Sequence, residues 1–185
     1  KPAGRKEWFA LCVLCLPLLI VSMDVSVLFF AAPAIAADLH PTAAQQLWIF
    51  DIYGFVLAGL LLTMGAVGDR IGRRRLLLIG TVGFALSSLL AAMAQTAGVL
   101  ILARGIMGIA GSTLMPSTLA LVRNMFQDPA QRTKAMGIWS AVMAGGVSVG
   151  PILCGLLLDR FSWSSVFLIN IPAMALLLLI APTLL

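Results

Sequence analysis

The sequence predicts an all-α integral membrane protein of six transmembrane helices, and three observations carry that expectation. Of 185 residues, 61% are hydrophobic and only 10% charged, against about a quarter charged in soluble domains. Six stretches are apolar over about 20 residues, the length that crosses a hydrocarbon core of about 30 Å. The basic residues gather in alternate connections, as they do on the cytoplasmic side of a membrane.

The first span covers approximately residues 9–31 and follows Lys1, Arg5 and Lys6. A secretory signal also sets basic residues before an apolar run, and Ala34-Ile35-Ala36 resembles a cleavage site; this stretch is too long for one and Asp24 interrupts it. The second span, 46–68, ends in the run Gly65-Ala66-Val67-Gly68-Asp69-Arg70-Ile71-Gly72-Arg73-Arg74. Glycine lets two helix ends approach, Asp69 is expected to cap the following helix, and Arg70, Arg73, Arg74 and Arg75 cannot enter hydrocarbon. A tight cytoplasmic hairpin follows. The third and fourth spans cover 76–94 and 98–125, and the basic residues Arg123, Arg132 and Lys134 surround the next connection. The fifth and sixth cover 133–158 and 165–185. This distribution places the N-terminus and both basic loops in the cytoplasm, and an even number of spans returns the C-terminal end there. Trp8 and Trp163 suit interfacial anchors. Topology thus accounts for the net charge of +5, and basic residues split among loops form no stripe for nucleic acid.

The chain also reads as a duplicated unit. Gly65-x3-Asp69-Arg70 at the end of the second span returns as Gly155-x3-Asp159-Arg160, ninety positions later, at the end of the fifth. Near the outer end of the first span lies Pro33, and the fourth has Pro116, 83 positions on. Residues 1–185 are therefore expected to form one six-helix bundle of two inverted three-helix repeats, approximately 8–95 and 98–185.

Three ionisable residues lie inside spans, where each costs roughly 2.5–3.5 kcal/mol and so faces a cavity or a partner. Counted from the outer end of each span, Asp24 is about seven residues in, Asp51 about five and Arg104 about six. At about 1.5 Å per residue they lie within a few ångströms of one depth and can share one polar layer. Such a layer suits antiport: a lipophilic cation beside an ionised carboxylate favours proton release, and a proton favours cation release. A static Asp24–Arg104 ion pair and an Asp51 that merely sits at the outer interface are the plain alternatives. Nine methionines, with Phe29, Phe30, Phe50, Tyr53 and Phe55, offer an adaptable apolar lining for hydrophobic cations. Cys12, Cys15 and Cys154 lie in apolar spans without a second ligand pair and are expected to be small packing residues; His40 is alone in an outer loop, so no metal site follows. Neither aspartate stands in the Gly-x-Gly-Asp setting of an intramembrane aspartyl protease, and no enzyme is expected.

The pattern Gly65-x3-Asp69-Arg70-x-Gly72-Arg73-Arg74-x2-Leu77 resembles the loop between the second and third helices of the major facilitator superfamily of secondary transporters. Met23-Asp24-Val25-Ser26-Val27-x5-Pro33 is similar to the first-helix motif of its drug:proton antiporters with fourteen spans, and Leu47-Trp48-Ile49-Phe50-Asp51-Ile52-Tyr53 to the second helix of the quaternary-ammonium exporters among them. Leu100-x3-Arg104-x3-Gly108 matches the fourth-helix motif tied to proton coupling, with Met107 where glutamine is customary. Gly146-x3-Gly150-Pro151-x3-Gly155 resembles the antiporter motif of the fifth helix, with Cys154 in place of a glycine, and Trp163-x3-Phe167-Leu168-Ile169-Asn170-Ile171-Pro172 resembles the start of the sixth helix.

The resemblance implies one half of a proton-coupled exporter of lipophilic, mainly cationic drugs and antiseptics, multi-pass in the plasma (inner) membrane. Asp24 and Arg104 would couple protons; Asp51, with Trp48, Phe29, Phe50 and Tyr53, would bind substrate. Gly65, Asp69, Arg70, Gly72, Arg73 and Arg74 would form a conformational loop that latches onto a second bundle, and Gly146, Gly150, Pro151 and Gly155 the helix that bends and seals. Which aspartate carries the proton stays open. No cofactor is implied beyond a proton gradient. The partners implied are lipophilic cations, protons, membrane lipids and a C-terminal bundle or partner chain, which the start at Lys1 and the six spans lead one to expect outside this sequence. An importer of a small polar solute and a non-transporting scaffold are the competing readings.

Overall fold

The computed structural model describes residues 4–184; Lys1 and Leu185, named above in the basic N-terminus and the sixth span, lie outside the described residues. Among the described residues seven helices follow one another: α1 Arg5–Leu39, α2 Ala43–Ile71, α3 Arg73–Ala92, α4 Ala97–Met125, α5 Pro129–Arg160, α6 Ser164–Leu168 and α7 Asn170–Leu184. Five stretches among the described residues, Arg5–Asp24 of α1 and the whole of α2 to α5, are long and apolar enough to cross a membrane. The sixth span is a broken rod, Ser164–Ile180, interrupted at Ile169. Pro172 has no N–H to offer the carbonyl of Leu168 four residues earlier, so the helical ladder lapses there while Ile169 keeps right-handed φ and ψ of −66° and −20°.

The helix ends are set by short polar residues. Thr42 accepts from the Gln45 N–H at 3.2 Å while Gln45 Oε1 accepts from the Thr42 N–H at 3.0 Å, a reciprocal cap that starts α2. Thr96 and Asp128 accept from Val99 and Gln131 in the same way at the starts of α4 and α5, and Pro129 occupies the first turn, where its missing N–H costs nothing. Arg132 reaches back to donate to the Phe126 and Arg123 carbonyls at 2.8 and 3.1 Å, which satisfies the end of α4.

The connection between α2 and α3 differs from the expected loop. Gly65 to Ile71 remain helical, because arginines that must leave hydrocarbon need not leave the helix, and only Gly72, at φ 101°, reverses the chain. Asp69 therefore caps nothing. It lies within α2 and accepts from Arg73 Nη2 at 2.5 Å.

α1 packs chiefly on α5, α2 on α4, α3 on α4, and α7 on α3 and α1. The α1–α5 contact thus has a counterpart in the α4–α2 contact. α1, α3 and α4 supply most of the interior, whereas α2 buries only Ile49, Tyr53 and Gly68, and α5 only Ala135, Gly146, Gly150 and Cys154. Small residues form the seams, as helix association in lipid requires close backbone approach. A Cβ on Gly146 would lie 1.8 Å from Ser22 Oγ and one on Gly150 2.3 Å from Ser26 Oγ, both on α1. In the other repeat, a Cβ on Gly108 would lie 2.8 Å from the Tyr53 carbonyl oxygen of α2. Five buried hydroxyls bond within their own helices: Ser22, Ser26, Thr81, Ser87 and Thr113 donate to carbonyls three or four residues back.

Candidate functional site

Arg104 is the largest fully buried side chain, at 1% exposure, and three groups from two other helices hold it. Its Nη1 donates to Asp24 Oδ2 on α1, and its Nε donates to the Ile49 carbonyl on α2 at 3.3 Å. The guanidinium carbon stands 4.5 Å from the centre of the Tyr53 ring, one helical turn beyond Ile49. Asp24 is 6% exposed, so both charges are withdrawn from solvent and rely on one another. Equal depth in the sequence thus corresponds to direct contact.

Asp51 stands apart from this pair. It is exposed on α2 and joins no ion pair among the described residues. It divides two shallow grooves. One, of about 320 Å³, is lined by Phe29, Phe50, Asp51, Tyr53, Phe55 and Arg104. The other, of about 260 Å³, is lined by Leu47, Trp48, Asp51 and Phe55. In the first groove Phe29 and Phe50 stack with centroids 5.4 Å apart and planes at 11°; in the second, Trp48 meets Phe55 edge-on at 6.5 Å. Both grooves therefore combine a carboxylate with aromatic faces, a pairing that attracts cations. Arg104 borders only the first.

The structure separates the aromatics that the sequence reading grouped together. Tyr53 is 2% exposed and forms the platform of Arg104 at the floor of the first groove, so it offers little surface to a substrate. Trp48, at 50% exposure, belongs to the second groove. Helical spacing explains the division: Ile49 and Tyr53 are four apart and face α4, while Trp48, Asp51 and Phe55 follow one another at three and four on the opposite side. That spacing was the signal from which the Arg104 platform was legible. Nothing in the sequence marked the Ile49 carbonyl, since every residue has one.

At the other end of the bundle, Arg73 folds against Gly68 and its ion pair with Asp69 borders a polar pocket of about 410 Å³ that also touches Arg123 and Asn124 at the end of α4. Arg70 is exposed, Arg74 lines a separate groove with Arg75, and a Cβ on Gly65 would meet nothing within 4 Å. Of the α5 motif, Gly146, Gly150 and Cys154 form the stripe against α1, Cys154 Sγ donating to the Val27 carbonyl at 3.5 Å. Gly155 faces open space and Pro151 is half-buried.

Two smaller expectations, for Trp163 and Cys12, need correction. Trp163 is buried, and its Nε1 donates to Asp38 Oδ2 at 2.9 Å, so it fastens the start of the sixth span to the end of α1 and anchors no interface. Trp8 packs edge-on against Phe126 at 4.6 Å, with Lys134 over its ring at 5.6 Å. Cys12 faces outward, whereas Cys154 is a packing residue as expected. A contact the sequence did not announce is Asn170 Nδ2 donating to Ser88 Oγ at 3.1 Å, a buried tie between α7 and α3. Among the described residues no three His, Cys, Asp or Glu side chains cluster as a metal would require.

A sequence profile described as Major Facilitator Superfamily matches residues 14–185. The chain is 50% identical over 179 residues to the multidrug efflux pump LfrA of Mycolicibacterium smegmatis, covering 97% of this chain and 36% of that protein. It is 44% identical over 167 residues to the methyl viologen resistance protein SmvA of Salmonella typhimurium, covering 90% and 34%. Over 174 residues it is 37% identical to the puromycin resistance protein pur8 of Streptomyces alboniger, covering 94% and 35%. The chain spans about a third of the length of these curated relatives.

Proposed function

Because this chain belongs to the major facilitator superfamily, a family of membrane transporters and not of enzymes, we propose that it supplies the proton- and cation-handling bundle of a multidrug exporter of the fourteen-span, quaternary-ammonium type. The exporter exchanges protons for lipophilic cations across the plasma membrane. The N-terminus and the α2–α3 and α4–α5 connections lie in the cytoplasm, as the basic residues there favour. A second bundle, or a partner chain in its place, covers the exposed faces of α2 and α5 and completes the pathway. The relatives named for multidrug efflux and methyl viologen resistance support the substrate class, since methyl viologen is a flat aromatic dication.

One observation carries the mechanism: Arg104 both pairs with Asp24 and forms part of the groove in which Asp51 stands. While Asp24 is ionised, the guanidinium is matched and the carboxylate of Asp51 sets the sign of the groove, so a cation enters beside the stacked Phe29 and Phe50. When Asp24 takes a proton, Arg104 is left unmatched at the groove wall and repels the cation. Proton and cation thus oppose one another through one side chain, and the opposition is reciprocal, as linkage requires. Ion-coupled antiport needs no more than this, given a motion that presents the site to each side in turn.

The test is ethidium efflux from cells expressing the native protein under an imposed proton gradient. Asp24→Asn should abolish gradient-driven efflux, while Asp51→Asn should impair cationic substrates and spare neutral ones. If both variants pump as wild type does, the polar layer is structural and the proposed roles are wrong. Resistance unchanged by Asp24→Asn would favour a scaffold.

A further inference from the structure

Of the three consecutive arginines that open α3, Arg73 pairs with Asp69 and lines the polar pocket at the end of α4. Arg74 and Arg75 border a different groove, of about 460 Å³, whose other walls are Ile71, Gly72, Leu78 and Ile79. Below it α3 exposes an unbroken apolar line: Ile79, Val82, Leu86, Leu89 and Met93, at spacings of three and four. The line runs fourteen residue steps from Ile79 to Met93, about 21 Å at the rise of a helix, more than the roughly 15 Å of hydrocarbon in one leaflet.

Two guanidinium groups at the head of an apolar line as long as a leaflet match a molecule with an anionic head and a hydrocarbon tail. We propose that this groove is a binding site for one anionic phospholipid of the leaflet facing the basic loops. Its phosphate sits between Arg74 and Arg75, and one acyl chain lies along Ile79, Val82 and Leu86. Arginine suits the head because its planar fork presents paired N–H groups to phosphate oxygens. A zwitterionic headgroup carries its own cation beside the phosphate and is the poorer match for two guanidinium groups. Free phosphate would leave the apolar walls bare, so the lipid is the better occupant. The bound lipid would span Gly72, the single residue on which α2 turns into α3.

The experiment reconstitutes the native protein into vesicles of equimolar phosphatidylglycerol and phosphatidylcholine, extracts it gently and measures the retained lipids by native mass spectrometry. Wild type should retain phosphatidylglycerol in preference to phosphatidylcholine. Removing each arginine should lower that preference about fivefold, so Arg74→Gln with Arg75→Gln should lower it roughly 25-fold. Arg70→Gln, in the same connection but outside the groove, should change it less than about twofold. Ile79→Ser with Leu86→Ser should shorten retention while the headgroup preference persists. The proposal is overturned if Arg70→Gln removes the preference as fully as the double arginine variant, which would make the effect diffuse charge. It is also overturned if excess inorganic phosphate strips the lipid, if wild type shows no preference, or if the serine variants retain lipid as wild type does. Helical circular dichroism confirms that each variant is folded before its lipids are compared.

Discussion

Replacing Asp24 by asparagine keeps its size and removes its charge, and so tests how Arg104 is held. Arg104 is 1% exposed and would keep the Ile49 carbonyl at 3.3 Å and the Tyr53 ring at 4.5 Å, but no counter-charge. Breaking a buried pair on one side costs about 3–5 kcal/mol, and the cation–π contact that remains offsets up to about 2 kcal/mol of a guanidinium's isolation. The expected cost is therefore near the lower bound, about 3 kcal/mol, or a fall in midpoint on the order of 10 °C for a chain of this size. Asp24→Leu combined with Arg104→Met removes both charges at similar volume and should return the midpoint to the wild-type value or above it, because apolar replacement of a buried pair is neutral or stabilising by about 1–4 kcal/mol. Gradient-driven efflux should remain absent in both. The assay is thermal unfolding of the purified protein in detergent, followed by tryptophan fluorescence, beside efflux from cells. A single variant that melts with the wild type, or a double variant that melts no higher than the single one, would refute the dependence of the two charges on each other.

Two further substitutions test the seams and the hinge. Gly150→Ala places a Cβ 2.3 Å from Ser26 Oγ and 3.1 Å from the Met23 carbonyl and should cost about 1–3 kcal/mol in the same melts, whereas Gly155→Ala, five residues on with nothing within 4 Å, should cost nothing measurable. Gly72→Ala forces a side chain into φ 101° and should cost on the order of 1–3 kcal/mol; hydrogen exchange should localise the loosening to the last turn of α2 and the first of α3.

The sequence announced what depends on composition along the chain and missed what depends on direction around a helix. Apolar length alone placed five of the six rods, because hydrocarbon leaves few alternatives to a helix. The meeting of Asp24 with Arg104 was legible for the same reason: two unlike charges at one depth in a medium that rewards pairing have few other partners. The arginines of the Gly65–Arg74 stretch point to a loop because they must leave the membrane, yet leaving hydrocarbon does not end a helix, and it is the positive-φ turn at Gly72 that does so. Trp163 was assigned to an interface by residue type, and a hydrogen bond to Asp38, 125 positions away, places it inside. Such a partner is invisible without the fold.

The geometry around Arg104 also limits how a signal can pass from Asp24 to the groove. A side chain that swings between two partners needs room and an alternative acceptor. Arg104 borders the groove that holds Asp51, but it is tethered: its Nε is committed to the Ile49 carbonyl on α2 and its guanidinium lies against the Tyr53 ring. A guanidinium also keeps its charge at any pH the protein meets. What changes on protonation of Asp24 is therefore the charge opposite a fixed guanidinium, and that change is felt in the groove without displacement of the side chain. On the proposed reading, coupling by charge assigns the movement to the bundle as a whole. The glycine seams between α1 and α5 and between α2 and α4 hold each pair of helices together as a unit, so a bundle that rocks carries its ion pair with it.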